Sequence, residues 1–175
     1  MIQSKELNRR PLVLVVEDQE INRDVLCMIL EDDYDVITAE NGREGLDKII
    51  EYQDKLSIIL LDLMMPVMDG FEVLEEMGRD PELKKIPVIV LTAEVEAELK
   101  ALQMGAADFI TKPFDVHEII LARIGRIIEL SEGRQLISSA ERDRLTGLYA
   151  KSFFFEYAEY PADLVEVPQS CFCVL

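Results

Sequence analysis

Ser57-Ile58-Ile59-Leu60-Leu61-Asp62-Leu63-Met64-Met65-Pro66-Val67-Met68-Asp69-Gly70 is the stretch that decides the fold of this 175-residue chain. Its opening run, Ser57 to Leu61, is apolar at consecutive positions from Ile58 onward, as in a strand buried on both faces, and it stops at a carboxylate. Four more runs of this kind recur along the chain: Leu12 to Val16, Asp35 to Ala39, Pro87 to Leu91, and Asp108 to Thr111. Each reads as a strand. Between them lie segments with helical spacing: Ile21, Val25, Met28 and Ile29; Gly45, Leu46, Ile49 and Ile50; Phe71, Val73, Leu74 and Met77; Val95, Leu99, Leu102 and Gln103. A fifth helix follows Asp115 with Ile119, Ile120, Arg123, Ile124 and Ile127. Strand followed by helix, five times over, implies right-handed crossovers, a parallel sheet covered on both faces and a three-layer α/β sandwich.

In an open parallel sheet, ligands bind outside the carboxyl ends of the strands, so the residues there carry the chemistry. They are Glu17 and Asp18 after the first strand, Asp62 after the third, Thr92 after the fourth and Lys112 after the fifth. Three carboxylates on one sheet edge repel one another unless a cation joins them, and all-oxygen ligation favours Mg2+ or Mn2+. Lys112 adds fixed positive charge and Thr92 a hydroxyl. A nucleophilic carboxylate, a hard cation, a lysine and a hydroxyl converging on one point suit phosphoryl transfer, which depends on positioning and charge neutralisation. Asp62 is the natural nucleophile. Acidic residues after strands commonly cap the next helix, and Lys-Pro is common in loops, so each position alone has an ordinary explanation. Their joint occurrence at the strand ends is what argues for a site.

Composition bounds the alternatives. Hydrophobic residues make up 49% of the chain and charged residues 30%, the balance of a folded domain with room for one dominant core. A net charge of −17 opposes binding to nucleic-acid phosphates and anionic lipid, and no basic patch offsets it. No apolar run approaches the roughly 20 residues of a membrane span, and the first is followed at once by Glu17 and Asp18, unlike a signal peptide. A cytoplasmic location with no nucleic-acid or membrane partner is expected. Cys27, Cys171, Cys173 and His117 are too few and scattered for a disulfide framework or a structural zinc site.

Residues 11 to about 130 resemble a response-regulator receiver domain of two-component signalling. The resemblance rests on Glu17-Asp18, the run from Asp62 to Gly70, Thr92-Ala93 and Lys112-Pro113. It implies a flavodoxin-like (βα)5 fold with sheet order 2-1-3-4-5, an arrangement for which a receiver is a standard example. It further implies that Asp62 is the phosphoacceptor, and that Asp18, Asp62 and the Met64 backbone carbonyl hold Mg2+, with Glu17 acting through water. Thr92 and Lys112 would contact phosphoryl oxygens, Thr92 and Phe109 would form the conformational switch, and the Lys112-Pro113 bond would be cis. The partner implied is a sensor histidine kinase or phosphotransfer protein, with a homodimer through the helix 4, strand 5 and helix 5 face. Two departures, Glu17 in place of the commoner Asp and Met64 two residues beyond Asp62, would tune metal affinity or phosphoryl lifetime.

Beyond Leu130, Ser131, Glu132 and Gly133 are expected to loosen the fifth helix into a polar, partly helical linker. Asp143-Arg144-Leu145-Thr146-Gly147-Leu148-Tyr149, with Phe153 and Phe154, resembles the opening of a GGDEF domain, the fold of enzymes that make cyclic di-GMP. Ala150 stands where that family has a guanine-contacting asparagine, and the signature loop is absent from the sequence. The expected organisation is an N-terminal tail (1–10), a receiver (11–130), a linker (131–142) and a truncated or degenerate GGDEF-like start (143–175). The function implied is a phosphorylated signalling module that controls an output domain and is not itself an enzyme. The alternatives are a fragment of a receiver-linked diguanylate cyclase lacking its catalytic part, and an aspartyl phosphatase. The phosphatase is disfavoured because Asp62 is followed by Leu63 and Met64, without a second carboxylate two residues on.

Overall fold

The strands form where aliphatic residues run without interruption: β1 (Leu12–Val16), β2 (Asp35–Ala39), β3 (Leu56–Asp62), β4 (Val88–Thr92) and β5 (Asp108–Thr111). The computed structural model describes residues 10–114 and 116–141. All strand pairings are parallel, and the sheet order is β2-β1-β3-β4-β5, the flavodoxin-like arrangement expected. The helices are α1 (Glu20–Leu30), α2 (Gly42–Tyr52), α3 (Gly70–Arg79), α4 (Val95–Gln103) and α5 (His117–Glu141), with a 3-10 turn at Leu83–Lys85.

Alternation along each strand divides the core in two. Leu14, Val16, Ile59, Leu61, Val88 and Val90 face the layer containing Leu46 and Ile49 of α2 and Val73, Leu74 and Met77 of α3. Val13, Val15, Ile58, Leu60, Ile89 and Leu91 face Leu26 and Leu30 of α1 and Ile120, Ile124 and Ile128 of α5. The register slips once, because Leu12 pairs with Leu56 while Val13 pairs with Ile58. Ser57 is the extra residue, which is why Leu56 and Ile58, two apart, serve opposite layers.

β3 and β4 each differ from the sequence reading at their ends. Asp62 and Thr92 were expected just beyond their strands; they are the last strand residues, held in the ladder by the pairing of Asp62 with Leu91 and Thr92 with Thr111. Helix faces also require correction, as at Ile50 of α2 and Ile119 of α5, each 52% exposed. On α1, Ile21 and Met28 are 78% and 71% exposed, and the buried stripe is Leu26, Ile29 and Leu30. The α1 sequence carries two overlapping apolar stripes, and spacing alone does not choose between them. On α4, Leu99 and Leu102 face outward while Ala101 is buried and Ala97 packs on the core. Small residues four apart allow that helix to lie close to the sheet, so its large apolar residues are the outer ones. Ser131, Glu132 and Gly133 do not break α5, which runs on through Glu141. No helix among the described residues is long and apolar enough to cross a membrane.

Candidate phosphoacceptor site

The carboxyl ends of β1, β3 and β5 bring four of the predicted side chains together. Glu17 follows β1 and is fully buried, and its N–H donates to the Ala39 carbonyl at 3.1 Å. Asp62 ends β3 and is almost completely buried. Lys112, directly after β5, places Nζ 2.7 Å from Glu17 Oε2 and 2.9 Å from Asp62 Oδ2. One carboxylate oxygen from each of Glu17, Asp18 and Asp62 lies within 4.8 Å of the others. The Lys112-Pro113 peptide bond is cis.

The charge in this pocket is unbalanced. Burial pushes the Asp62 carboxyl above its ordinary value; the Lys112 bond pulls it down, the Glu17 charge pushes it up again, and the net direction is upward. Burial acts against the charged form of Lys112, but its bonds to Glu17 and Asp62 outweigh this and raise its pKa. One ammonium thus serves two buried carboxylates and leaves a negative remainder. Asp18 Oδ1 is buried without a hydrogen-bond donor among the described residues, and Glu17 Oε2 meets Lys112 as a close ion pair outside hydrogen-bond geometry. Unpaired buried carboxylate oxygens are costly in a protein interior. One oxygen from each of Glu17, Asp18 and Asp62 lies within 4.8 Å of the others, close to the roughly 4 Å between opposite ligands of an octahedral Mg2+. The donor set therefore fits a hard divalent cation.

Met64 lies in the loop after β3; its N–H donates to Asp62 Oδ1 at 3.3 Å and its side chain is exposed. The loop turns tightly: Val67 has φ 72°, and Gly70 N donates to the Leu63 carbonyl at 3.1 Å. Asp69 and Glu72 then form a capping box that starts α3. The Thr92 hydroxyl is not turned onto Asp62 or Lys112. It accepts from the Glu94 N–H at 3.0 Å, while the Thr92 carbonyl accepts from Lys112 N at 2.8 Å. Phe109 is half-buried in β5 beside Val90 of β4, packs on the α2/α3 layer, and has the Arg123 guanidinium 5.9 Å from its ring.

Two neighbours of the acidic pair, and Glu40 behind them, were not anticipated from the sequence. Asn22 donates to Glu17 Oε1 at 3.0 Å, and Arg23 Nη1 donates to the carbonyls of Glu17 and Asp18 at 2.8 and 3.0 Å. Arg23 also meets Glu40 at 3.3 Å. A signal for Arg23 was present: it lies three and seven residues before the buried Leu26 and Leu30, on the inward stripe of α1.

Known proteins share this fold. The response regulator receiver domain family matches residues 13–123. A hybrid signal transduction histidine kinase of Dictyostelium discoideum is 37% identical over 148 residues, 81% of this chain and 9% of its own length. The alkaline phosphatase synthesis transcriptional regulatory protein of Bacillus subtilis is 38% identical over 138 residues, 77% of this chain and 55% of its own length. This chain therefore spans about half, or much less, of the curated relatives it matches. Among solved structures, a Vibrio cholerae chemotaxis protein superposes with TM-score 0.61 and 32% identity, covering 67% of this chain and 98% of that one. The receiver domain of a Pseudomonas aeruginosa sensor histidine kinase, solved with a magnesium ion in its active-site cleft, gives 0.63 and 26%, covering 68% and 98%. A two-component response regulator/GGDEF domain protein gives 0.66 and 25%, covering 72% of this chain and 52% of that one. Sheet order, the polar residues at the strand ends and the match over residues 13–123 agree, and the chain belongs to the response regulator receiver domain family.

Proposed function

We propose that this chain accepts a phosphoryl group on Asp62 from a sensor histidine kinase or phosphotransfer protein, in a reaction that requires Mg2+ or Mn2+, and passes the change to an output domain. The observation that carries the reading is the placement of Asp62: buried at a strand end, 2.9 Å from Lys112 and clustered with Glu17 and Asp18. Asp18, Asp62 and the Met64 carbonyl would hold the cation, with Glu17 held back by Lys112 and Asn22 and acting through water. The bound cation would neutralise charge on the pocket and on the phosphoryl oxygens. An Asp62 oxygen attacks phosphorus in line with the departing group, forming an acyl phosphate, while Lys112 pairs with the equatorial oxygens.

Thr92 would release Glu94 to reach the phosphoryl group, and Phe109 would follow into the space this opens. Leu99 and Leu102 of α4 and Ile119 of α5 are exposed, which supports a homodimer through the α4/β5/α5 face. We place the receiver at 11–130 after a short tail at 1–10, a linker at 131–142, and the start of a GGDEF-like domain at 143–175; that last segment and the sequence features read there lie outside the described residues. Support for a GGDEF-type output comes from Asp143 to Tyr149 and from the receiver/GGDEF protein among the structural neighbours. A parent diguanylate cyclase is the alternative it leaves open.

Incubation with a small acyl phosphate and Mg2+ tests the assignment. Intact-mass analysis should show one added phosphoryl group on the wild type and none on Asp62→Asn. Equal labelling of the two would overturn it.

A further inference from the structure

We infer that Arg23 is a positioning residue for the cation pocket, setting the direction in which Glu17 and Asp18 present their carboxylates to Asp62. The inference rests on the proposed cation site. β1 ends at Val16 and α1 begins at Glu20, so the acidic pair sits in a connection of three residues. That connection is held from two sides. The Glu17 N–H is anchored to Ala39 of β2, and a single nitrogen of Arg23 takes both the Glu17 and the Asp18 carbonyls. The second guanidinium nitrogen reaches Glu40, one residue past β2.

The Arg23 guanidinium lies on a side chain only 12% exposed, a costly placement unless its donors are used. They are used on backbone and on Glu40, not on the pocket carboxylates, so Arg23 fixes the ligand-bearing backbone without competing for the ligand oxygens. Outer partners that orient metal ligands commonly change metal affinity by about 10- to 100-fold when removed.

Charge and geometry predict opposite results. A positive charge beside the pocket repels a cation, so an Arg23 acting only as a charge would weaken Mg2+ binding, and its removal would tighten it. An Arg23 acting through its hydrogen bonds to the two carbonyls supports binding, and removal weakens it. Arg23→Lys separates the two, because it keeps the charge, but its one-bond-shorter side chain draws the nitrogen back from the two carbonyls and offers no second nitrogen to Glu40.

The test is calorimetric titration of Mg2+ into the full chain for wild type, Arg23→Lys, Arg23→Ala and Glu40→Gln, with melting temperatures in chelator measured alongside. Arg23→Lys and Arg23→Ala should each raise the Mg2+ dissociation constant by about tenfold. Glu40→Gln should raise it by less than about fivefold, since Glu40 is exposed. Wild-type affinity in Arg23→Lys, or tighter binding in Arg23→Ala, would overturn the inference; so would a lower melting temperature with unchanged affinity, which marks a purely structural role. If Arg23→Ala does not fold, the other two variants decide. No binding by the wild type would instead overturn the cation site and this assignment with it.

Discussion

Gly70 and Asp62 are in backbone contact: a Cβ added to Gly70 would lie 2.3 Å from the Asp62 carbonyl oxygen and 2.8 Å from Leu63 Cα. Neither atom belongs to a flexible side chain, so nothing can yield without moving the end of β3. Gly70 is therefore tied to the site although it carries no functional group. It lets α3 start against the strand that bears Asp62.

Gly70→Ala should destabilise the domain by about 1–3 kcal/mol, the range for overpacking a tight contact. It should also slow labelling of Asp62 by an acyl phosphate, because relief of the clash displaces the acceptor backbone. Urea unfolding and timed intact-mass analysis read the two effects. Wild-type stability would show that the loop relaxes without cost.

Val67 carries the opposite opportunity. Its φ of 72° is unfavourable for a β-branched residue by about 1–2 kcal/mol, and its side chain is 83% exposed, so truncation gives up almost no packing. Glycine adds unfolded-state entropy that offsets about 0.5–1 kcal/mol of the relief. Val67→Gly should still gain up to about 1 kcal/mol, and Val67→Asn should also gain, seen as higher urea midpoints. Lower midpoints for both would mean that the turn is not strained.

The layers, the strand positions and the strand-end residues were legible in the sequence because burial on both faces leaves uninterrupted aliphatic runs, and polar residues stand out where those runs end. Two kinds of feature were not. Burial faces on α1 and α4 depended on tertiary contact: Ile21 and Met28 match a helical period as well as Leu26 and Leu30 do, and Ala97 and Ala101 carry little periodic signal. The support of the site was also hidden. Arg23 acts on backbone carbonyls, Gly70 by lacking a side chain, and Thr92 has its hydroxyl turned onto Glu94, none of which motif spacing records.

Lys112 is the only cation within ion-pair reach of Glu17 or Asp62 among the described residues. Lys112→Ala leaves both buried carboxylates without it and should cost about 3 kcal/mol in chelator at neutral pH, as loss of one partner of a buried ion pair does. The direction with pH follows from Lys112 itself: its raised pKa means that its contribution is in place below the unfolded lysine value and is lost only as pH rises through the folded one. On acidification Asp62, whose pKa is raised, takes up a proton, so the deficit of the variant should shrink. Urea unfolding at neutral pH and near the carboxylate range checks this. A deficit that stays constant would locate the effect in lost packing rather than charge.

Asp62→Asn separates the cost of the pocket from its use. Burial is the largest cause raising the Asp62 pKa, and the net upward direction already includes the favourable Lys112 pair. A carboxyl with a folded pKa above its unfolded one imposes no penalty below the unfolded value. The penalty grows as pH rises between the two and is complete above the folded value. At neutral pH without metal, the wild type carries that penalty and Asp62→Asn does not, so the variant should melt higher in chelator. The difference should vanish as pH falls below the unfolded carboxyl value. Mg2+ reverses the order of benefit: at a hundred times its dissociation constant, a cation bound only by the folded state adds about 2.7 kcal/mol. Asp62→Asn loses one anionic ligand and should gain less from the same concentration. Thermal melts of both proteins across pH in chelator, and at neutral pH over a Mg2+ series, read both differences. If Asp62→Asn melts lower than wild type in chelator at neutral pH, or gains as much from Mg2+, then Glu17, Asp18 and Asp62 do not act as one electrostatic site.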